Sequence, residues 1–217
     1  MHIQTITKTQ IVSLLLLILA ITGCQTNTKK TDSVMQDAHK SDLQASLLKI
    51  EKIKLIAENN RLLAQEANLK ELNRTLKNEV QEKTVMVEQL KNQSIKVTML
   101  NSILFSSGQY KLNKQGRLAI AKLVNVIKKH IQQGGIVRII GHTDNLYVNK
   151  RNGVFQDNWD LSSLRAASVV RLLVWGHHIA PNAFRVEGHA DTEPKASNAT
   201  KTGRAQNRRI EILLSSQ

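Results

Sequence analysis

From position 24 to position 107 this 217-residue chain contains no glycine and no proline. Nothing in that stretch would interrupt a long helix, since these two residues are the strongest breakers of regular structure. Both prolines, Pro181 and Pro194, lie late. Two physical regimes therefore share the chain, with their boundary read near residue 97. Cysteine occurs once, as Cys24, so no internal disulfide can form. Aromatic residues are 3% of the total, which excludes a large aromatic core across the whole chain. Acidic residues are also scarce: 17 Asp and Glu stand against 31 Lys and Arg, for a net charge of +14. Such a balance points to anionic partners, whether nucleic acid, a membrane surface or an acidic polymer.

What is present begins with an apolar run, Ile11 to Thr22, preceded by mostly polar residues in which Lys8 is the only Lys or Arg. About a dozen residues suits the apolar core of a secretory signal and falls short of the ~20 that span a bilayer. The run holds no Asp or Glu, which disfavours a proton-conducting span. Ile21-Thr22-Gly23-Cys24 resembles a lipobox, in which the Cys carries diacylglycerol and becomes the mature N-terminus. Residues 1–23 are thus expected to be a lipoprotein signal peptide, with lipidated Cys24 as the membrane anchor. An ordinary secretory signal that happens to contain Cys is the alternative. Acyl chains bury CH₂ groups at about 0.8 kcal/mol each, enough for firm attachment. Gln25 stands where an Asp often marks inner-membrane retention in bacterial lipoproteins, so this resemblance favours the outer membrane, on its periplasmic face. Export also removes nucleic acid from the partners that the positive charge would allow.

Residues 24–40 are polar and read as a flexible tether. Residues 41–96 read as one long helix, rich in Leu, Lys, Glu, Gln and Ala, which would reach about 85 Å. Leu48, Leu55, Leu62, Leu69, Leu76 and Leu90 recur at heptad spacing, with Lys83 interrupting and Val97 continuing. The matching a positions are mostly polar: Lys52, Asn59, Glu66 and Asn73, then Val80 and Val87. This predicts a weak parallel coiled coil, hence a homodimer through residues 41–96; a single amphipathic helix lying on another surface is the alternative.

Beyond residue 97 the period changes. Val97 to Phe105 reads as a strand, Ser106 to Gln109 as a turn and Leu112 to Gln133 as a helix stopped by Gly134-Gly135. Ile136–Ile140 reads as a buried strand, Leu161–Trp175 as a helix and Ala183–Gly188 as a strand. A short helix at Thr202–Asn207 and a last strand at Arg209–Leu214 complete the series. Alternating strands and helices indicate an α/β layer structure over residues 97–217.

Three runs in this region carry a family resemblance. Gly141-His142-Thr143-Asp144-Asn145 follows a strand, Asn158-Trp-Asp-Leu161-Ser162-Ser-Leu-Arg165-Ala166 opens a helix, and Gly203-Arg-Ala-Gln-Asn207-Arg208-Arg209-Ile-Glu-Ile212 ends the region. Together they resemble the OmpA-like peptidoglycan-binding domain family, which includes Pal and the periplasmic part of MotB. The Asn158–Ser162 run with its longer preceding loop looks most like the MotB branch. One departure is Ser106, where many members have Asp after the first-strand Phe.

The resemblance implies a βαβαβ(α)β fold with a mixed sheet, an α+β sandwich. It further implies recognition of the diaminopimelate residue of the peptidoglycan stem peptide. Asp144 matches the family's ligand-binding carboxylate and Arg165 its guanidinium. Diaminopimelate ends in an ammonium beside a carboxylate, and an Arg can hold a carboxylate bidentately. A structural Asp–Arg pair at a strand–helix junction is the bland alternative. Thr143, Asn158 and Leu161 are expected to shape or line the pocket. Arg208 either reaches stem-peptide carboxylates or pairs structurally. His142 and His189 lie in an internal echo, Gly-His-Thr-Asp144 and Gly-His-Ala-Asp191, and read as pocket-edge or packing residues rather than a metal site. Tyr147, Phe155 and Trp159 crowd the loop between Asp144 and Arg165, either as a small core pinning that loop or as a wall against glycan or partner.

No Ser–His–Asp order with a nucleophile elbow, no paired catalytic carboxylates and no zinc signature is legible. No cofactor is implied. The expected function is non-catalytic: an outer-membrane lipoprotein tethering a membrane to peptidoglycan. The alternative is the wall-anchoring component of a larger envelope machine, flagellar stator-like or secretory, with further envelope proteins as partners.

Overall fold

A computed structural model describes residues 8–92, 94–148 and 154–215, with side chains from residue 39 onward. The chain divides into two units, Met1–Arg61 and Leu62–Gln217. Helix α1 runs Lys8–Thr75 and includes the polar residues 24–40, expected above to be a flexible tether. No glycine or proline stands between 24 and 75, so the helix runs through the polar residues without a break. The proposed modification of Cys24 and the signal peptide 1–23 concern side chains outside the described residues. Among the described residues, no helix is long and apolar enough to cross a membrane.

The helix does not continue to residue 96. It stops at Thr75, a short α2 (Lys77–Gln81) follows, and β1 (Val85–Gln89) then pairs antiparallel with β2 (Ile95–Leu100). Helix α2 ends in a Schellman closure: Lys83 adopts φ 55°, its N–H donates to the Val80 carbonyl at 3.0 Å, and the Thr84 N–H donates to the Glu79 carbonyl at 3.0 Å. Leu90 consequently lies past the end of a strand rather than in a helical leucine row. The compact unit starts well before residue 97, because Leu72 and Leu76 are 1% and 0% exposed and belong to the core.

The sheet has the order β1-β2-β5-β3-β4, with β3 at Ile136–Gly141, β4 at Phe184–Gly188 and β5 at Arg209–Ser215. Only β3 and β4 run parallel; the other neighbours are antiparallel. The mixed sheet and its helices are the expected α/β architecture, with β1 as an added strand. The expected first strand, 97–105, turns at Leu100 into a one-turn helix α3 (Asn101–Leu104). The expected helix 112–133 is two helices, α4 (Lys114–Ala121) and α5 (Val124–Gln132). Helix α6 (Asn158–Arg171) passes into a π turn at Leu172–Gly176, and α7 (Lys201–Asn207) precedes β5.

The core is aliphatic: Ile120, Leu123, Ile127, Ile139, Leu173, Ile210 and Ile212 are all at most 1% exposed. Helix α6 lies close against the ends of β3 and β4 because glycines are there. A Cβ on Gly141 would come 2.1 Å from the Ser162 carbonyl oxygen. That close approach sets the height of α6, and of Arg165 on it, above the strand ends.

Candidate functional site

The strand end after β3 is fixed from two sides. The His142 N–H donates to the Arg209 carbonyl at 2.9 Å, and the Thr143 N–H donates to the Ala190 carbonyl at 2.7 Å. Ala190 holds a left-handed φ of 47°, and its N–H donates to the Ser162 hydroxyl at 3.1 Å. Asp144, 5% exposed, follows directly. Its Oδ1 accepts the Leu146 N–H at 3.2 Å, and its Oδ2 accepts from Arg208 Nη1 at 2.5 Å. Asn158 Nδ2 donates to the carbonyls of Asp144 at 3.2 Å and Leu146 at 3.1 Å, binding the loop to the start of α6. The Asp157 side chain caps α6 by accepting the Asp160 N–H at 3.0 Å.

Arg165 is 5% exposed. Its Nε–H donates to the Gln109 carbonyl at 3.0 Å, and its guanidinium carbon lies 5.3 Å from the centre of the Phe105 ring. Burial pushes its pKa down to about 10; the nearby Arg208 charge adds to the fall and Asp144 opposes it. The group stays cationic at neutral pH, but in a poorly solvated place. Arg165 and Arg208 both line a cleft of about 650 Å³, together with Asn101, Phe105 and Ser106. Among the described residues, the terminal nitrogens of Arg165 have no protein acceptor.

Among the described residues, Asp144 and Arg165, matched above to the family's carboxylate and guanidinium, form no ion pair with each other. Two guanidiniums, Arg165 and Arg208, share the cleft, and Asp144 sits behind Arg208 as its ion-pair partner. Arg208 is therefore both a cleft residue and a structural partner, with 40% of its side chain exposed against 7% for Asp144. Thr143 is buried at 3% and Leu161 at 2%, and neither is among the residues that line the cleft. Asn158 acts as the loop clamp just described. Among the described residues, the Thr143 hydroxyl and Asn158 Oδ1 are buried without a protein partner. Of the loop aromatics, Phe155 is buried at 3%, while Tyr147 and Trp159 are 76% and 53% exposed. The loop thus has one pinning aromatic and two outward ones.

Sequence reasoning missed Phe105 and the Gln109 carbonyl as the seat of Arg165. Phe105 was legible only as a strand residue, and a backbone carbonyl leaves no trace in a sequence. It also missed Glu193, which the fold brings to His142 and His189 in place of Asp191.

The OmpA family model matches residues 104–208. Motility protein B of Bacillus subtilis is 32% identical over 123 residues, 57% of this chain and 46% of that protein. The chain thus spans about half the length of this relative. The outer-membrane lipoprotein YfiB of Pseudomonas aeruginosa is 30% identical over 127 residues, 58% of this chain and 70% of that protein. Among solved structures, the cell wall anchor of the T6SS from Pseudomonas aeruginosa is 31% identical with a TM-score of 0.59. That match covers 67% of this chain and 97% of the other.

Proposed function

The chain belongs to the OmpA family, and from that premise we propose that its C-terminal domain binds peptidoglycan without catalysis, through the diaminopimelate end of the stem peptide. The observation that carries this reading is Arg165: a guanidinium 5% exposed, seated on Phe105 and the Gln109 carbonyl, with its remaining donors turned to a cleft. A desolvated guanidinium calls for a carboxylate, which it can hold through two parallel hydrogen bonds. Arg208 reinforces the demand for negative charge. Asp144, ion-paired to Arg208 beside the cleft, is the carboxylate that would answer an ammonium next to that group once the ligand's carboxylate draws Arg208 toward itself.

In this reading Cys24 bears lipid in the outer membrane, α1 spaces the domain from that membrane, and the domain holds the wall. Similarity to an outer-membrane lipoprotein supports the anchor, and similarity to a wall anchor of the T6SS supports service within a larger envelope assembly. A Cys24→Ser chain should lose fatty-acid labelling and leave the membrane fraction. The site is tested by sedimenting the chain with purified peptidoglycan. Asp144→Ala and Arg165→Ala should each remain folded and stay in the supernatant, because stripping one partner from a desolvated charge pair costs about 2–5 kcal/mol. Folded variants that pellet as well as the wild type would show that the cleft is not the site.

A further inference from the structure

A second cluster lies on the other side of the strand end that carries Asp144. The His142 ring is 1% exposed, and among the described residues neither of its nitrogens has a protein partner. It meets the His189 ring edge-on, with centroids 5.3 Å apart. His189 is flanked by two carboxylates: its Nε2 lies 3.2 Å from Glu187 Oε2 and its Nδ1 lies 3.1 Å from Glu193 Oε1. A neutral imidazole has one N–H and can satisfy only one of them. The other contact places a nitrogen lone pair against a carboxylate unless a second proton or a cation intervenes.

We propose that His142, His189 and Glu193 form a binding site for a divalent transition-metal ion of the zinc class. One donor atom from each lies within 4.8 Å of the other two. Metal–ligand bonds of about 2.1 Å in a tetrahedral site keep donors about 3.4 Å apart, so a small contraction completes the set. Glu193 is 59% exposed and has the freedom to make it. Two imidazoles and one carboxylate suit zinc rather than calcium or magnesium, and three protein ligands leave a fourth position for water. Glu187 is placed to fix the ring: with the metal on Nδ1, His189 Nε2–H donates to it, while Arg138 holds Glu187 from the other side at 2.6 Å. The nearby Arg209 charge is already engaged, with Nε on Glu211 at 2.6 Å and Nη2 on the Glu193 carbonyl at 3.1 Å. An ion here would pin the 189–193 turn to the strand end that bears Asp144.

The test uses the full chain with Cys24→Ser, which removes the one thiol, purified without a histidine tag and stripped with chelator. Zn²⁺ and Co²⁺ are titrated in, with binding followed by calorimetry and, for cobalt, by visible absorption. One equivalent should bind, with cobalt bands of a four-coordinate nitrogen–oxygen site. His189→Gln and Glu193→Gln change half-buried or exposed positions and should leave the circular dichroism spectrum intact while weakening binding more than about tenfold. Glu187→Gln should weaken it about tenfold through the lost orientation of His189. The adjacent pair His177 and His178 is the control, and His178→Gln should change nothing. Absence of binding at tens of micromolar metal overturns the site. So does binding that survives His189→Gln, or that is lost in His178→Gln.

Discussion

Arg165 shows what the site demands of a single residue. A base whose pKa is pushed down by burial to about 10 holds its proton less tightly in the folded chain than in the unfolded one. Its charge therefore lowers stability, fully below about pH 10 and less as the pH rises beyond it. At about 1.4 kcal/mol per pKa unit the penalty is on the order of 3 kcal/mol. The hydrogen bond to Gln109 and the contact with Phe105 return about 1–3 and 0.5–2 kcal/mol. A flexible apolar replacement keeps the packing and drops the charge. Arg165→Met should thus unfold in urea within about 1 kcal/mol of the wild type, or later, while losing peptidoglycan binding. A loss of several kcal/mol would mean that the guanidinium is chiefly structural.

At the scale of elements, the end of α1 is part of the domain. Leu72 and Leu76 are 1% and 0% exposed, so Leu72→Ala should destabilise the fold by about 2–5 kcal/mol, measured by chemical denaturation. A fragment beginning at residue 62 should fold cooperatively, whereas one beginning at residue 97 lacks β1 and these leucines and should not. That boundary was not legible in the sequence. The heptad leucines run unbroken through Leu76, and the left-handed position that ends α2 is occupied by Lys83, not by the glycine that usually announces it. The break between α4 and α5 was likewise hidden, since no breaker stands at Lys122-Leu123. The strands β3, β4 and β5 were legible because short apolar runs end at glycines or follow polar turns. Asp144, Arg165 and Arg208 were legible as members of three spaced motifs. Their pairing was not, because the Asp144–Arg208 contact joins residues 64 apart in sequence, and only the order of strands brings them together.

At the scale of the whole molecule, the exposed apolar residues concentrate on α1. Leu48 and Leu55 are 61% and 70% exposed, while Leu76 of the same row is buried in the domain core. Of the leucine row expected over 41–96, the first half is exposed and available for self-association. The soluble chain should form a weak dimer by sedimentation velocity at tens of micromolar, and Leu48→Lys with Leu55→Lys should return it to monomer. A monomeric wild type at those concentrations would leave the seam for another partner. The charge of +14 poses the remaining alternative, that the basic surface adheres to the wall without a pocket. Surface adhesion is erased by salt, whereas a buried guanidinium pair is screened much less. The most direct measurement is calorimetric titration of the chain with two soluble stem peptides, one with its diaminopimelate carboxylate free and one with it amidated, at 0.15 and 0.5 M salt. The account predicts binding of the free form at both salt concentrations and at least tenfold weaker binding of the amidated form. Equal affinity for the two peptides, or binding that vanishes at the higher salt, would contradict it.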